Sequence, residues 1–268
     1  MSTPIFLDIE TIPGQDEHVI GHFKAKAFDE VDAELKAVDA KIEGIQAPST
    51  YKDAAKIEAY VNEKRAALEA ERNTLLHSIP ERFDAAWRKT SLDGAFGNIF
   101  CVSIAIGDGL PFSIVNEDWT SPSGEAGLLL KLDRELRDIQ IETKHRGFLV
   151  GHHIIGFDRK FIRQRGIVRR VQLPSIITDP VKPWERGVVF DTMAAWSDDP
   201  RDRISMNKLC LALGLEGKGG DLDDGEDIDG AKVWDFVKAG QGDKVVTYCE
   251  GDVIRTRNIF NRINGVFQ

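Results

Sequence analysis

Two acidic residues near the start of the chain are spaced for shared chemistry. Asp8 and Glu10 follow an apolar run and are separated by Ile9. In a β-strand, residues two apart point to the same face, so both carboxylates lie side by side while Leu7 and Ile9 pack into a core. Neighbouring carboxylates repel each other, and a divalent cation removes that repulsion. Oxygen ligands favour a hard ion such as Mg²⁺ or Mn²⁺. The alternative is a strand end with two solvated acids.

Two further acids follow later in the chain. Asp158 ends the segment HHIIGFD at a loop-to-helix junction, where an acid can also cap the helix N-terminus. Tyr248 and Asp252 are four residues apart in the segment YCEGD, so they share one face of a helix. Each feature alone has an ordinary structural explanation, as a helix cap or as a Tyr–Asp pair on an amphipathic helix. Taken together, the four acids and the tyrosine point to one shared site.

The acids need strands and helices to bring them together, and the sequence pattern supplies both. Apolar runs predict strands at 100–106, 112–115, 147–151 and 187–190. Apolar residues at helical spacing predict helices at 123–145, 158 to about 165, 192–196, 204–213, 231–238 and 243–263. Asp191 is placed to cap the helix 192–196. Strands that come first, with helices interleaved and then dominant, predict a mixed α/β sheet fold.

Residues 20–90 differ from the rest of the chain because Ala, Glu, Lys and Asp dominate there. A first helix carries apolar residues three and four apart, namely Phe28, Val31, Leu35, Val38, Ile42 and Ile45. The segment APST at 47–50 ends this helix, because Pro cannot continue it and Ser or Thr can cap the next one. We interpret 20–90 as a helical hairpin inserted into a single domain that spans 1–268. The sequence leaves three roles open for this hairpin: a lid, a dimer contact or a substrate clamp.

Bulk composition is that of a globular protein, with 42% hydrophobic and 29% charged residues among 268. No apolar run approaches the roughly 20 residues of a membrane span, and no secretory signal is visible. Three scattered cysteines form neither a metal spacing nor a disulfide framework, which favours the reducing cytoplasm. The net charge of −9 argues against a non-specific nucleic-acid binder. However, a carboxylate metal site adds negative charge that its ions would offset.

Three segments carry a family resemblance: FLDIET at 6–11, HHIIGFD at 152–158 and YCEGD at 248–252. They resemble the three motifs of the DEDD exonucleases, in the tyrosine-bearing (DEDDy) branch of these ribonuclease H-like 3′→5′ exonucleases. The chain is most similar to the predicted exonuclease family that resembles the proofreading domains of family-B DNA polymerases. Segments 205–215, 217–218 and 229–233 support the resemblance, which covers residues 3–12 and about 97–262 but not the hairpin.

This resemblance implies a ribonuclease H-like fold and a ligand set for two Mg²⁺ or Mn²⁺ ions, consisting of Asp8, Glu10, Asp158 and Asp252. It further implies that Tyr248 orients the attacking water and that Thr11 and Ile12 touch the terminal nucleotide. The expected activity is hydrolysis from the 3′ end of nucleic acid, with single-stranded DNA favoured over RNA and nucleoside 5′-monophosphates released. A catalytically weak or inactive module that binds nucleic-acid ends or a partner is the alternative. A nucleotide phosphodiesterase closed by the hairpin is a third hypothesis, and a homodimer through the hairpin is a further expectation.

Residues around Asp158 are candidates for substrate binding. His153 stands where similar proteins often have Asn, and it either hydrogen-bonds a phosphate or sugar or serves only its local structure. Phe157 is a candidate for stacking on a base. Arg159 and Arg163 share a helical face in the most basic stretch of the chain. A solvated helix face is the alternative interpretation of these arginines.

Overall fold

The computed structural model describes residues 2–181, 188–197, 203–219 and 228–265. The chain divides into two compact units. The first consists of Met1–Asp16 and Thr90–Gln268, and the second of Glu17–Lys89. The bounds of the second unit are close to the predicted insertion 20–90. That both units form a single exonuclease domain stays a prediction.

The first unit contains a five-stranded mixed sheet in its described residues. Its strands are β1 Thr3–Ile12, β2 Asn98–Ile106, β3 Phe112–Val115, β4 Gly147–Gly151 and β5 Val189–Asp191. The strand order is β3-β2-β1-β4-β5. The pairs β1–β2 and β2–β3 are antiparallel, whereas β4 runs parallel to both β1 and β5. The first strand is therefore central, with an antiparallel neighbour on one side and a parallel one on the other.

The helices follow in chain order as α1 Glu17–Glu43, α2 Ala54–Arg88, α3 Pro122–Glu142, α4 Asp158–Arg169, α5 Ser175–Thr178, α6 Thr192–Ser197, α7 Met206–Leu213, α8 Val233–Lys238 and α9 Gly242–Ile263. A 3₁₀ turn at Lys89–Leu92 follows α2. The helix predicted to end near residue 165 continues to Arg169. It stops there because Arg170 takes a left-handed conformation, with φ of 58°.

Helices cover both faces of the sheet. On one face, Ile5, Leu7 and Ile9 of β1 join a core that includes apolar residues of α3 and α4. On the other face, Phe6 packs in a cluster with Val253 of α9. This is the alternation that an extended strand imposes on its side chains. The predicted mixed α/β fold is confirmed, and the burial of Leu7 and Ile9 agrees with the sequence pattern.

A buried ion network joins α3 and α4. Glu125, fully buried, accepts hydrogen bonds from Arg165 at 2.9 and 2.7 Å and from Arg169 at 2.6 Å. The guanidinium of Arg169 also donates two hydrogen bonds of 2.9 Å to Asp16. Buried charges are tolerated when they are paired and hydrogen-bonded in this way. Two arginines of the basic stretch after Asp158 are therefore part of the framework.

The second unit is a helical hairpin. Ion pairs link Glu34 to Arg82 and Asp39 to Arg72, so the residue number falls along α2 as it rises along α1, and the helices are antiparallel. Its apolar core is thin, because α2, described over its whole length, buries a single residue, Trp87.

Two details of the hairpin differ from the sequence prediction. Phe28 was expected in the apolar seam but is 56% exposed, whereas Ala27 beside it is buried. The buried face of α1 is therefore shifted by one residue at this point, from Phe28 to Ala27. The second helix begins at Ala54, and its cap is Asp53, which accepts hydrogen bonds from the backbone N–H groups of Ala55 and Lys56. The predicted Ser or Thr cap is wrong. Among the described helices, none is both long and apolar enough to cross a membrane.

Candidate active site

A pocket of about 450 Å³ is lined by the second half of β1. It brings together the four predicted acids, namely Asp8 and Glu10 of β1, Asp158 at the start of α4 and Asp252 of α9, together with Tyr248. We call it the carboxylate pocket. Its other polar lining residues are His152, His153, Ser205, Asn207, Lys218 and Asp229. Residues that are far apart in the chain thus meet on one side of the sheet.

Alternation along β1 determines which side chains enter the pocket. Ile9 is buried in the core beneath α3 and α4, so Asp8 and Glu10 project from the opposite face, where α9 packs. The register with β2 shifts between Glu10 and Thr11, which marks a β-bulge. Bulges commonly redirect the chain beside functional sites. The two acids therefore occupy the last regular positions of β1 before the bulge.

Asp158 is tied to β1. Its Oδ1 accepts a hydrogen bond of 3.2 Å from the backbone N–H of Ile9, and the residue is 3% exposed. The N-cap position of α4 belongs to Phe157, whose side chain makes no capping hydrogen bond. Asp158 lies in the first turn of α4, where an acid is favourable, and its contact with Ile9 in addition holds the start of α4 next to the two strand acids.

A lysine lies between the two functional side chains of α9. The Nζ of Lys218 donates hydrogen bonds to the Tyr248 hydroxyl at 2.6 Å and to Oδ2 of Asp252, and it lies 4.5 Å from the centroid of the Tyr248 ring. Arg255 binds the other oxygen of Asp252, at 3.0 Å through Nε and 2.9 Å through Nη2. Both oxygens of this carboxylate are therefore held by cations.

A buried thiol adjoins the strand acids. Cys249 donates a hydrogen bond of 3.4 Å to Oδ2 of Asp8. Donor atoms of Asp8, Glu10 and Cys249 all lie within 4.8 Å of one another, which is close enough for a single metal ion to reach them. The two carboxylates are the natural ligands for a hard cation, and the thiol is the softer group of the three.

The carboxylate pocket disfavours negative charge. Burial raises the pKa of Asp8 and of Glu10 well above the ordinary values, and neighbouring carboxylates raise them further, while the Lys218 ammonium opposes the shift. Burial is also the main reason that the pKa of Asp158 rises to about 7. Desolvated oxygen donors that repel one another fit a divalent cation, because the ion stabilises their charged forms.

The hydroxyl of Tyr248 stays protonated at neutral pH. Burial raises its pKa above the ordinary value, and the negative charges of Asp252, Glu10 and Asp8 raise it further. A protonated phenol can donate one hydrogen bond and accept another. The accepted one comes from Lys218, which leaves the proton of the hydroxyl for a second partner in the pocket.

Residues 137–267 match the family described as "Predicted 3'-5' exonuclease related to the exonuclease domain of PolB". This segment is similar to that exonuclease family and makes up just under half of the chain. It includes Asp158, Tyr248 and Asp252, whereas Asp8 and Glu10 lie outside the matched residues.

One solved structure extends the similarity to the fold of nearly the whole chain. The family B DNA polymerase from the hyperthermophilic archaeon Pyrobaculum calidifontis superposes with a TM-score of 0.50 and 12% sequence identity, covering 98% of this chain. The chain spans 24% of the length of that polymerase. At this identity the likeness concerns the fold alone. No curated protein matches the sequence significantly.

Two adjacent histidines line the carboxylate pocket, in different roles. His152 is held by the framework, with Nδ1 3.0 Å from the Thr192 hydroxyl and Nε2 2.9 Å from the carbonyl of Ile204. His153 has a left-handed backbone, with φ of 65°. Burial lowers the pKa of both histidines, so the neutral imidazole is favoured at physiological pH.

The loop before α4 is organised by Asp191. Its carboxylate accepts hydrogen bonds from the backbone N–H groups of His153 at 3.0 Å and Ile155 at 3.2 Å. The same side chain accepts from the N–H of Met193 at 3.1 Å, as expected for the cap of α6. One residue thus fixes both the start of α6 and the unusual backbone at His153, and the sequence pattern indicated only the first of these roles.

The other predicted substrate-binding residues do not all line the carboxylate pocket. Phe157 lines the carboxylate pocket. Thr11 is buried, and its hydroxyl donates to the carbonyl of Ser91 at 2.7 Å, while Ile12 is fully buried. Arg159 is also buried, and its guanidinium donates to the carbonyls of Ile176 and Asp179. Arg163 is exposed on α4.

Sequence reasoning did not assign a role to Lys218 or Asn207. The backbone N–H of Lys218 donates to Oδ1 of Asn207 at 2.6 Å, which anchors the segment that carries the ammonium. The available signal was the Gly-Lys pair at 217–218, which formed part of the family resemblance. The position of Lys218 in the pocket is set by an irregular segment after α7. Neither helix nor strand periodicity applies there, so the sequence pattern could not predict this position.

Proposed function

We propose that this chain is a metal-dependent 3′→5′ exonuclease of the DEDDy type, which hydrolyses the terminal phosphodiester bond of nucleic acid and releases nucleoside 5′-monophosphates. The observation that carries the proposal is the convergence of four acids and one tyrosine on a single pocket. The similarity of residues 137–267 to a predicted exonuclease family supports it. The raised pKa values of Asp8, Glu10 and Asp158 support a cation as the missing component.

The proposed ligands of two Mg²⁺ or Mn²⁺ ions are Asp8, Glu10, Asp158 and Asp252. Divalent ions held by these residues would supply two effects, a lower pKa of a water molecule and stabilisation of the leaving 3′ oxygen. Tyr248 would orient the attacking water through its protonated hydroxyl, a role that its raised pKa supports. Lys218 would keep positive charge beside Tyr248 and the phosphate, as lysines commonly do in phosphoryl chemistry.

The proposed substrate is nucleic acid with a free 3′ end, with single-stranded DNA favoured. His153 and Phe157 line the pocket and are the proposed contacts to sugar, phosphate or base. Arg163 is exposed and available to a phosphate, whereas the buried contacts of Arg159 support a structural role for that residue. The buried positions of Thr11 and Ile12 do not support direct contact with the nucleotide. Cytoplasmic location and a homodimer through the hairpin stay predictions.

Digestion of 3′-labelled and 5′-labelled oligonucleotides tests the proposed function. Single-stranded and double-stranded DNA and RNA are incubated with Mg²⁺, Mn²⁺ or EDTA. We expect mononucleotides to be released first from the 3′ end with either ion and none in EDTA. Asp8→Asn and Asp252→Asn should each reduce the rate at least about 100-fold while circular dichroism stays unchanged. Undiminished digestion in EDTA, or by both variants, would contradict the proposal.

The position of Lys218 favours one alternative, an exonuclease fold that only binds nucleic-acid ends. In that case, the ammonium that binds Asp252 and Tyr248 would permanently take the place of a metal ion. The variant Lys218→Ala separates the two functions. An exonuclease should lose about 100-fold in rate, because a positive charge beside the phosphate is removed. A binding module that Lys218 keeps inactive should instead gain Mg²⁺ affinity, measured by calorimetry, and acquire hydrolysis.

A further inference from the structure

The tip of the helical hairpin contains a second pocket. It lies where the chain passes from α1 to α2 and has a volume of about 590 Å³. All of its lining residues belong to the segment 50–63, so it is formed within the second unit alone. We call it the tip pocket.

Two tyrosines form its aromatic part. The rings of Tyr51 and Tyr60 are 5.8 Å apart and inclined by 79°, an edge-to-face arrangement. Tyr51 is 39% exposed, and Tyr60 is half-buried. Aromatic residues are normally used to build a core, yet α2 buries only Trp87, in its last turn. These rings are therefore held by each other at the surface, with ring area left open to a ligand.

Lysines surround the aromatic pair. Lys56, Tyr60 and Lys64 are spaced four residues apart on α2, so they share one helical face. Lys52 precedes the helix, and all three lysines are exposed. The Nζ of Lys64 lies 5.7 Å from the centroid of the Tyr60 ring, within the range of a cation–π contact. The ring of Tyr60 thus lies between two lysines on one face of α2, and Tyr51 and Lys52 adjoin it from the segment before the helix.

Two acids line the tip pocket, and they differ in role. Asp53 accepts the backbone N–H groups of Ala55 and Lys56, so its charge is used at the helix N-terminus. Glu63 is exposed on the pocket wall. Glu63 is therefore the main negative charge opposite the lysines in the tip pocket. Replacing Glu63 with a neutral residue should strengthen the binding of an anion.

We propose that the tip pocket binds a single strand of nucleic acid, with bases stacked on Tyr51 and Tyr60 and phosphates bound by Lys52, Lys56 and Lys64. Rings interleaved with cations are the elements of sequence-independent single-strand binding. An acidic peptide would use the lysines but would have no need of the two rings. The inference rests on the proposed function in one respect, since it assumes that nucleic acid is the ligand of this chain.

The test measures binding of the full chain to a fluorescent oligothymidylate of about 20 nucleotides, longer than typical single-strand sites. Fluorescence anisotropy is recorded in EDTA, so that no strand is digested. Tyr51→Ala/Tyr60→Ala should weaken binding about tenfold, and Tyr51→Phe/Tyr60→Phe should restore it, because the stacking surface is kept. Lys56→Gln/Lys64→Gln should flatten the slope of log K against log salt by about 0.7 per lysine.

Two controls sharpen the result. Lys26→Gln/Lys36→Gln removes the same charge from exposed positions of α1 and should leave the affinity close to that of the wild type. Glu63→Gln should tighten binding, an effect that a loss of folding cannot imitate. Equal effects of the two lysine pairs, no effect of the tyrosine pair, or the absence of measurable binding would overturn the proposal. So would competition by polyglutamate that depends on the lysines but not on the tyrosines.

Failure of this inference is distinguishable from failure of the proposed function. Hydrolysis of a labelled dinucleotide in Mg²⁺ tests the carboxylate pocket, because the single phosphodiester bond of a dinucleotide can be cleaved without binding at the tip. If the tip variants bind the oligothymidylate normally while the dinucleotide is cleaved, only the role of the tip is overturned. If the wild type cleaves nothing yet tip variants lose affinity, the tip proposal stands and the exonuclease proposal falls.

Discussion

At the scale of single residues, the buried acids of the carboxylate pocket lower the stability of the fold when they are ionised, and the proposed function requires them in the ionised form. Burial raises the pKa of Asp8, Glu10 and Asp158, which means that the folded chain resists their ionisation. Groups of this kind are common where a protein holds ions or reacting groups, because the same desolvation strengthens electrostatic interactions inside the site. Lys218 offsets part of the cost by placing an ammonium beside Tyr248 and Asp252.

The raised pKa of Asp158 predicts a specific coupling between pH and ion binding. In the fold, its pKa is about 7, against an ordinary value of 3.8. Its contribution to stability is therefore full below pH 3.8 and is lost as the pH rises through about 7. A divalent ion binds the ionised form and reverses this loss. We expect the rise in melting temperature on adding Mg²⁺ to be larger near pH ~8 than near pH ~5.

Scanning calorimetry in EDTA and in Mg²⁺ measures this coupling. Asp158→Asn is the matched variant, because the amide keeps the size of the side chain and removes the ionisation. It should be more stable than the wild type in EDTA above pH ~7 and should show a much smaller Mg²⁺ effect, since the buried charge is gone. A Mg²⁺-induced rise that is independent of pH in the wild type would contradict the assignment.

At the scale of elements, α3 and α4 are fixed by charge as well as by apolar packing. Arg165 is fully buried and is paired with Glu125, which also binds Arg169. Arg169 in turn binds Asp16, where the chain leaves β1. Because α4 begins with Asp158, this network helps to set the position of one proposed metal ligand. Its effect on the site is through the helix, at a distance from the pocket.

Removing the central acid of this network should destabilise the fold strongly. Glu125→Ala leaves the Arg165 guanidinium buried without its carboxylate partner, and breaking a buried pair in this way costs about 3–5 kcal/mol. Urea unfolding followed by circular dichroism measures the loss. Asp133→Ala is the matched control on the same helix. It breaks the partly exposed pair with Arg137, so it should shift the midpoint far less than Glu125→Ala does. Similar midpoints for the two variants would refute the structural role of Glu125.

The arginines of α4 show what the sequence could predict and what it could not. Helical spacing correctly places Arg159 and Arg163 on neighbouring turns, but their surroundings depend on distant segments. Arg159 binds carbonyls 17 and 20 residues away, and Arg169 binds Asp16 across 153 residues. A basic helix looks the same in sequence whether its charges face solvent or buried acids. Local pattern therefore predicted the helix and could not predict the use of its charges.

The carboxylate pocket was more predictable than its surroundings for a physical reason. Asp8 and Glu10 follow from strand periodicity, and Tyr248 and Asp252 follow from helix periodicity, so spacing alone fixes their faces. Lys218 enters from an irregular segment, where no period applies. Thr11 is buried, and its hydroxyl donates to the carbonyl of Ser91, 80 residues away, a contact that no local pattern in the sequence indicates.

At the scale of the whole molecule, the net charge of −9 has to be reconciled with the anionic substrate that we propose. Much of the negative charge is local, because the four predicted acids and Asp229 all line the carboxylate pocket. Divalent ions bound there would reverse the local field. The tip pocket would add a positive surface on a separate unit. If the chain is the exonuclease that we propose, it is therefore expected to bind its substrate in an ion-dependent manner, while the remainder of its surface carries the excess negative charge.

If bound ions act by offsetting the negative charge of the carboxylate pocket, substitutions that remove this charge should have the same effect on DNA binding as the ions. At a pH above the raised pKa values of Asp8 and Glu10, where both acids are ionised, Asp8→Asn/Glu10→Gln should tighten the binding of single-stranded DNA in EDTA by about 1 kcal/mol per charge, because two negative charges at the proposed phosphate site are removed. Asp138→Asn/Glu142→Gln removes the same charge from exposed positions of α3 that do not line the pocket. If fluorescence anisotropy shows equal effects for both pairs, net charge and not the pocket governs affinity. A larger effect for the pocket pair, together with loss of the response to Mg²⁺, is the outcome that we expect.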